Sequence, residues 1–425
     1  MNNFLRVLII FLGLVFESNA LGLTLEECFE SAKKTNPRFE ILKISKKEQK
    51  LYKTKSFLDI LPQVDLSRKL NDDPQPLRTK IASKKPNAII ARGNISLAQI
   101  SSIGSHSYRA NVEQNIALSE EQKLLMEGIK CYLSFCEEKH KLALSSSTLE
   151  FAKSGNKLAT AKFQMGSATK IDVLNSEAEL AKAAFDKDSQ ENALTIAKRT
   201  FTQFFGITPD GEIETPSNQR EMALSRDELL QFTLANNPNL KAKQNSASMQ
   251  KAMLAQSAAE RLPQIEYSFR TTLDNANPDE TVQWALSIPI LAGQQSSILD
   301  IPLKKHALRK AMIAKMHYQD ELEANVLANW QNQEQQKAQL RMLEKYIEAK
   351  NLRLTAITQE CALGKGTLID LYKAAQELDI AKLQQVKAQY GLIISKYEIL
   401  ALCGNLSKEL FPNTKDSKKI KKIQS

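Results

Sequence analysis

The chain has 425 residues and a formal charge of +10, with few Gly and Pro and with aromatics at only 6% of the total. Ala, Lys, Glu, Gln and Leu dominate its middle, the usage of extended helical hairpins or coiled coils rather than of a compact α/β enzyme. The lysines are interspersed with Glu along helical stretches, so the positive charge reads as solvated helix faces and no nucleic acid is expected as a partner.

Residues 1–20 carry Arg6, an apolar run from Val7 to Phe16, and then Ser18-Asn19-Ala20, which places small residues at the −3 and −1 positions of a cleavage site. This is the pattern of a secretory signal peptide. The run is shorter than the roughly 18–20 apolar residues of a membrane span. No later segment is apolar enough for a spanning helix, so any membrane insertion falls to β-strands.

Thr24 and Glu27 form a Thr-x-x-Glu capping box that opens a first helix, and Ser225 and Glu228 repeat it 201 residues later. The match continues at the same offset: Asn36-Pro37 corresponds to Asn237-Pro238, and Leu61-Pro62-Gln63 to Leu262-Pro263-Gln264. This is an internal duplication. In each copy Asn caps a second helix with Pro at its first position, and the Leu-Pro ends it.

After Pro263 the period changes from helical to alternating. Ile265, Tyr267 and Phe269 point one way and Glu266, Ser268 and Arg270 the other; Val282, Trp284, Leu286 and Ile288 then alternate with Gln283, Ala285 and Ser287. This predicts a β-hairpin over about 264–291. The first copy is weaker: Val64, Asp65, Leu66 and Ser67 alternate briefly before a polar loop, and the return strand falls somewhere within Asn87–Ile95, giving a hairpin over about 63–95.

Residues from about 97 to 165 and from about 295 to 362 keep a helical apolar rhythm, each about 100 Å at ~1.5 Å per residue. Both end in a sharp turn. The first reads Gly166-Ser167-Ala168-Thr169-Lys170-Ile171-Asp172, the second Gly364-Lys365-Gly366-Thr367-Leu368-Ile369-Asp370. In each, Gly stops one helix and a Thr-x-x-Asp start opens the next, which makes the tip of a helical hairpin. Helices of about 168–204 and 367–402 follow, closed by Gly206 and Gly404. The domain plan is therefore a signal over 1–20, repeats over 21–206 and 224–404, a linker over 207–223, and a basic tail over 405–425 expected to be disordered.

Cys28, Cys131, Cys136, Cys361 and Cys403 are odd in number, so they cannot all pair within the chain. Cys131 and Cys136 lie five apart on a predicted helix, about 8–9 Å from a rise of ~1.5 Å per residue, too far for a bridge. Burial as small apolar residues is the expected role of all five. Four His without ligand spacing give no metal site, and no cofactor is expected. A nucleophile elbow, a phosphate loop and metal-spaced His are all missing, so no enzyme is expected.

The order of each repeat is short capped helix, Asn-Pro, helix, Leu-Pro, β-hairpin, very long helix, Gly-x-x-Thr-x-x-Asp tip and final helix. Together with Leu286-Ser287-Ile288-Pro289-Ile290-Leu291-Ala292-Gly293, this order resembles the TolC-like outer-membrane efflux protein family over essentially all of residues 21–405. The resemblance implies a mainly α fold with long helical hairpins forming a periplasmic tunnel. Four strands per chain would join a homotrimeric, 12-stranded barrel in outer-membrane lipid, with Tyr267, Phe269, Trp284, Leu286 and Ile288 as lipid-facing candidates. Open strand edges cannot be satisfied in lipid, so closure by other copies is also a physical demand.

The resemblance implies a passive duct of a tripartite efflux pump or type I secretion system, partnered by a periplasmic adaptor and, through it, an inner-membrane transporter. Gly166, Thr169, Gly364, Gly366 and Thr367 are the tip and adaptor-contact candidates. Asp370 aligns with an acid that rings the constriction, and Asp172 with one in the closing network; both also suit simple helix capping, and the roles can coexist. Lys373 stands where some members have a second ring acid, and it could pair with Asp370 at i, i+3. Gly366 and Cys361 replace an Arg and a Tyr of the closed-state latch. The alternative is a soluble periplasmic coiled-coil scaffold or adaptor without a pore.

Overall fold

The computed structural model describes residues 23–58, 61–67, 88–209, 225–272, 280–288, 299–363 and 367–411. The expected signal, most of the linker, the strand end after Ile288, and Gly364 and Gly366 lie outside these residues. The elements run α1 (Leu25–Thr35), α2 (Pro37–Leu58), β1 (Gln63–Ser67), β2 (Ala88–Ile95), α3 (Leu97–Gln164) and α4 (Lys170–Phe205) in the first repeat. The second repeat follows the same order with α5 (Arg226–Asn236), α6 (Pro238–Ala259), β3 (Gln264–Thr272), β4 (Glu280–Ser287), α7 (Asp300–Ala362) and α8 (Leu368–Leu402), after which comes α9 (Leu406–Leu410).

The duplication is visible in the caps. Thr24 and Glu27 exchange both capping-box bonds at 3.0 and 3.3 Å, and Ser225 and Glu228 do the same at 2.8 and 3.4 Å. Asn36 accepts from the Arg38 amide and Asn237 from the Leu240 amide, so each Asn-Pro starts its helix as the sequence predicts. Gly166, Gly206 and Gly404 adopt the left-handed φ of a helix stop, at 73°, 72° and 70°.

The chain packs as two compact units that cut across the repeats. One comprises Met1–Glu40, Gln122–Leu229 and Val326–Ser425, the other Ile41–Glu121 and Leu230–Asn325. The division has a physical reason: the strands of both copies share one sheet in one unit, α4 of the first copy packs on α8 of the second in the other, and α3 and α7 are long enough to supply residues to both units.

The core of the first unit is aromatic. Phe29 of α1 is fully buried and meets Phe204, Phe205 and Phe411 edge to face, and Phe201 stacks with Phe205 at 4.6 Å. Gly128 of α3 makes this possible, because a Cβ there would lie 2.6 Å from both the Phe29 and Phe204 rings. The Tyr132 hydroxyl donates to the Leu23 carbonyl at 2.9 Å and fastens the start of the chain to α3. Cys28, Cys136, Cys361 and Cys403 are buried; burial pushes the Cys28 and Cys136 thiols up to about 12, which keeps them protonated and inert. Cys131 is the exception, half-buried in the groove between α3 and α4 that also holds Lys123, Glu127 and Ile196.

The first residues of the tail expected to be disordered, 405–411, are ordered, and residues 412–425 lie outside the described ones. Leu406 and Leu410 are buried, the Leu406 amide donates to Gln122 Oε1 at 3.0 Å, and Phe411 sits on Phe29 with Lys33 above its ring. Apolar residues at i, i+4 and i+5 outweigh the basic residues that follow.

In the second unit β1 to β4 form one antiparallel sheet in sequence order. The pairs Ala91–Phe269, Gly93–Tyr267 and Ile95–Ile265 join the two hairpins, and Phe269–Val282, Tyr267–Trp284 and Ile265–Leu286 extend the same rows. Around the sheet, Lys46 pairs with Glu121 and Leu240 and Leu322 are buried.

Truncating the most shared aromatic is expected to be severe. Phe29→Ala should cost about 3–5 kcal/mol, read as a lower denaturation midpoint of the purified protein against an exposed control such as Lys153→Ala.

Candidate functional site

The register sorts the sheet into two chemically distinct faces, because side chains alternate along each strand and cross-strand partners share a face. One face carries Val64 and Leu66; Ile89, Ala91, Gly93 and Ile95; Ile265, Tyr267 and Phe269; and Val282, Trp284 and Leu286. The other carries Gln63, Asp65, Arg92, Asn94, Glu266, Ser268, Arg270 and Gln283. Trp284 and Leu286 are 66% and 67% exposed, so this chain alone offers them no cover. Ile288, just past β4, is exposed as well.

Tyr267 is only partly exposed, because its ring lies over Gly93 on the neighbouring strand; a Cβ at Gly93 would collide with it. The ring thus covers backbone that a side chain would otherwise shield. On the polar face Gln63 donates to Asp65 at 3.1 Å and Gln264 to Glu266 at 3.2 Å. A concavity lined by Gln63, Arg92, Asn94, Glu266 and Gln283 keeps this side open to water.

The first hairpin adds Val64, Leu66, Ile89, Ala91 and Ile95 to the apolar face, although its sequence shows this poorly. Ala88-Ile89-Ile90-Ala91 has no alternation, since Ile90 lies on the polar side opposite Asp65 and Arg270. The pairing of β2 with β3, not the local pattern, fixes which of these residues point outward.

The tips of the two helical hairpins, with the stretches of α3 and α7 from Gln122 and Val326 onward, belong to the first unit. At the first tip Thr169 caps α4: its amide and hydroxyl both donate to Asp172 Oδ2 at 2.8 Å, and the Asp172 amide returns a bond to Thr169 Oγ1 at 3.2 Å. These bonds hold the Asp172 carboxyl below the usual carboxylate range. At the second tip Thr367 Oγ1 donates to Asp370 Oδ2 at 2.6 Å and accepts from the Asp370 amide at 3.2 Å. Thr169 and Thr367 are thus the helix caps; Asp172 completes a capping box with the Thr169 amide, whereas Asp370 accepts the Thr367 hydroxyl. Asp370 and Lys373 are exposed, and no ion pair joins them among the described residues, so the i, i+3 pairing does not form.

Cys361 has a role of its own. Its thiol donates to the Thr367 carbonyl at 3.2 Å, closing the turn, and Lys162 of the first hairpin donates to the Cys361 carbonyl at 3.0 Å. Around it Ala159, Cys361 and Leu371 form a small core bordered by Phe151, Leu354, Ile357 and Tyr372. Lys162 was not visible from sequence as a contact residue, because nothing local marks a lysine that bonds 199 residues away.

Further up, the hairpins are tied along α3 and α8. Thr148 donates to Asp379 at 2.8 Å, His140 Nδ1 lies 2.6 Å from the Tyr390 hydroxyl, and Lys130 pairs with Glu398 at 2.7 Å. Within the second hairpin Glu377 accepts from Lys350 and Arg353 at 2.6 and 2.9 Å, and the Lys350 bond first of all lowers its carboxyl.

No protein-family model matches the chain. The outer membrane efflux protein BepC of Brucella suis biovar 1 (strain 1330) is 23% identical over 303 residues, which cover 68% of this chain; the match spans 65% of that relative's length. Among solved structures, the outer-membrane channel OprN superposes with a TM-score of 0.76 at 15% identity, covering 90% of each chain. The Campylobacter jejuni CmeC outer membrane channel gives 0.73 at 12% identity, covering 94% of this chain and 88% of that one. The fold is that of the TolC-like outer-membrane channels.

The Thr169 cap makes the first tip pH-sensitive in a defined direction. Because folding lowers the Asp172 carboxyl, its stabilisation is present above the ordinary Asp value, about 3.9, and is lost as pH falls through the lower folded value. Hydrogen exchange of the 170–174 amides should therefore stay slow from neutral pH down to about 5 and show extra opening below about 4. Thr169→Ala should loosen the same amides at neutral pH by about 0.5–2 kcal/mol.

Proposed function

We propose that the chain is the outer-membrane channel of a tripartite efflux pump, a passive duct across the outer membrane and periplasm that works as a homotrimer. The observation that carries this reading is the two-faced sheet. Its strands come from both repeats, one face is apolar with Trp284, Leu286, Val64 and Leu66 exposed, the other is largely polar, and among the described residues β1 and β4 are the edge strands. A bilayer requires every backbone N–H and C=O to be satisfied, so such a sheet is stable there only when its edges pair with those of other copies. Three copies give 12 strands, a closed barrel whose polar face lines a water-filled passage.

The long hairpins then form the periplasmic part, with the tips as its mouth. Adaptor contact falls to residues 166–169 and 364–367, and an inner-membrane transporter supplies the energy through that adaptor. Asp370, repeated three times, gives an anionic ring; with Lys373 unpaired one turn away, the ring carries mixed charge rather than a neutralised pair. Opening would have to break the Lys162 bond to the Cys361 carbonyl and part the Ala159–Cys361–Leu371 core, a small set of contacts for a gate. A soluble periplasmic scaffold would have no use for Trp284, Leu286, Val64 and Leu66 on one exposed face. The BepC relative is an efflux protein by its name, which favours efflux over protein secretion.

Fractionation tests the assignment. The expected result is a species in the outer membrane that migrates as a trimer in gels and collapses to about one third of that mass on boiling; a soluble monomer would overturn it. In planar bilayers Asp370→Asn should reduce cation preference relative to wild type, and unchanged selectivity would remove Asp370 from the pore.

A further inference from the structure

Between α3, α4 and α8 the first unit contains a pocket that a passive duct does not need. It encloses about 500 Å³, within the range of drug-sized ligand sites. Phe151 and Tyr372 supply ring walls, and Ala152, Ala183, Ala375 and Leu383 supply aliphatic ones. The small alanines leave the space, which larger residues at these helix faces would fill.

The polar groups around the pocket are unequal in charge. Lys141 is already committed, held by Glu137 at 2.6 Å and Glu138 at 2.8 Å. Asp379, Glu179 and Asp186 remain against Lys182 at the pocket and Lys382 beside Asp379. Asp379 is half-buried on the pocket wall, and its one hydrogen bond there comes from Thr148. Burial raises its carboxyl, outweighing the Thr148 hydrogen bond and the charge of Lys382, which both act to lower it.

An apolar, aromatic-walled space of this size with a desolvated carboxylate on its wall is chemically matched to one class of ligand. We propose that the pocket binds a single organic cation with an aromatic or aliphatic body, its positive charge placed at Asp379. Neutral and anionic molecules of the same shape are excluded, because they leave the carboxylate uncompensated. The ligand touches α3 and α4 of the first hairpin and α8 of the second. By linkage it favours the arrangement in which these hairpins are packed together, and so acts against their separation. The site is distinct from the tips and from the sheet, and its existence does not depend on the duct reading.

The test is equilibrium dialysis of the purified full-length protein in dodecyl maltoside with tetraphenylphosphonium as probe and tetraphenylborate as the anion of the same shape. Uptake above detergent alone should saturate at one phosphonium per chain, with no saturable borate uptake. Asp379→Asn should weaken phosphonium binding at least about tenfold, the scale of a lost desolvated charge contact. Ser189→Lys, an exposed change at the pocket rim that leaves the packing intact, should weaken it in the same direction, and Ala183→Phe should abolish it. Melting curves confirm that each variant is folded. Absence of saturable phosphonium uptake, equal borate binding, or an unchanged isotherm in Ser189→Lys and Asp379→Asn would overturn the proposal. Bilayer conductance of the same proteins separates the two assignments: loss of phosphonium binding with normal conductance removes the pocket alone, and retained binding without conductance removes the duct alone.

Discussion

The pairing of Ala88–Ile95 with Gln264–Thr272 is the contact on which the rest of the molecule's reading depends. It joins strands about 170 residues apart and makes one sheet from two hairpins that could not persist singly in water. Its register places Gly93 under the Tyr267 ring and aligns Ala91 with Phe269, so the apolar residues of both repeats fall on one side. A slip of one residue would send the first hairpin's apolar set to the polar face. The proposed closure by further copies, and with it the proposed membrane assignment, rests on that single register.

The helical part solves a different problem. Helices of 68 and 63 residues are packed at several places along their length. The aromatic group around Phe29, Phe201 and Phe205 is one. The Ala159–Cys361–Leu371 core near the tips is another; between them Leu378, Ala381, Ala388 and Ile393 of α8 are buried, and Thr148–Asp379 and His140–Tyr390 tie α3 to α8. Exposed ion pairs of the Lys187–Glu191 kind add little to stability.

Sites differ in how they use the same residues. Asp172 and Asp370 are held by their own Thr caps, and this local role would be required whether or not the acids line a passage. Their helix-start geometry positions the carboxylates, and any effect on ions is added to that. Lys162 and Cys361 show the reverse case, in which residues with no local signature make the contact between hairpins.

The duplication at an offset of 201 residues, the capping boxes, the Asn-Pro helix starts, the Gly stops and the second β-hairpin were legible in the sequence, because each rests on interactions within a few residues of chain. Periodicity also separated the helical hairpins from the strands. The first hairpin's register, the order of the tail through Phe411, the half-exposed Cys131 and the bond from Lys162 to the second hairpin were decided only by tertiary structure. In each the deciding partner lies far away along the chain: Thr272 to Ile265 for β2, Gln122 and Phe29 for the tail, the Cys361 carbonyl for Lys162. Local sequence sets backbone conformation and caps; which face is covered, and what a lone lysine reaches, depends on long-range packing that no short pattern encodes.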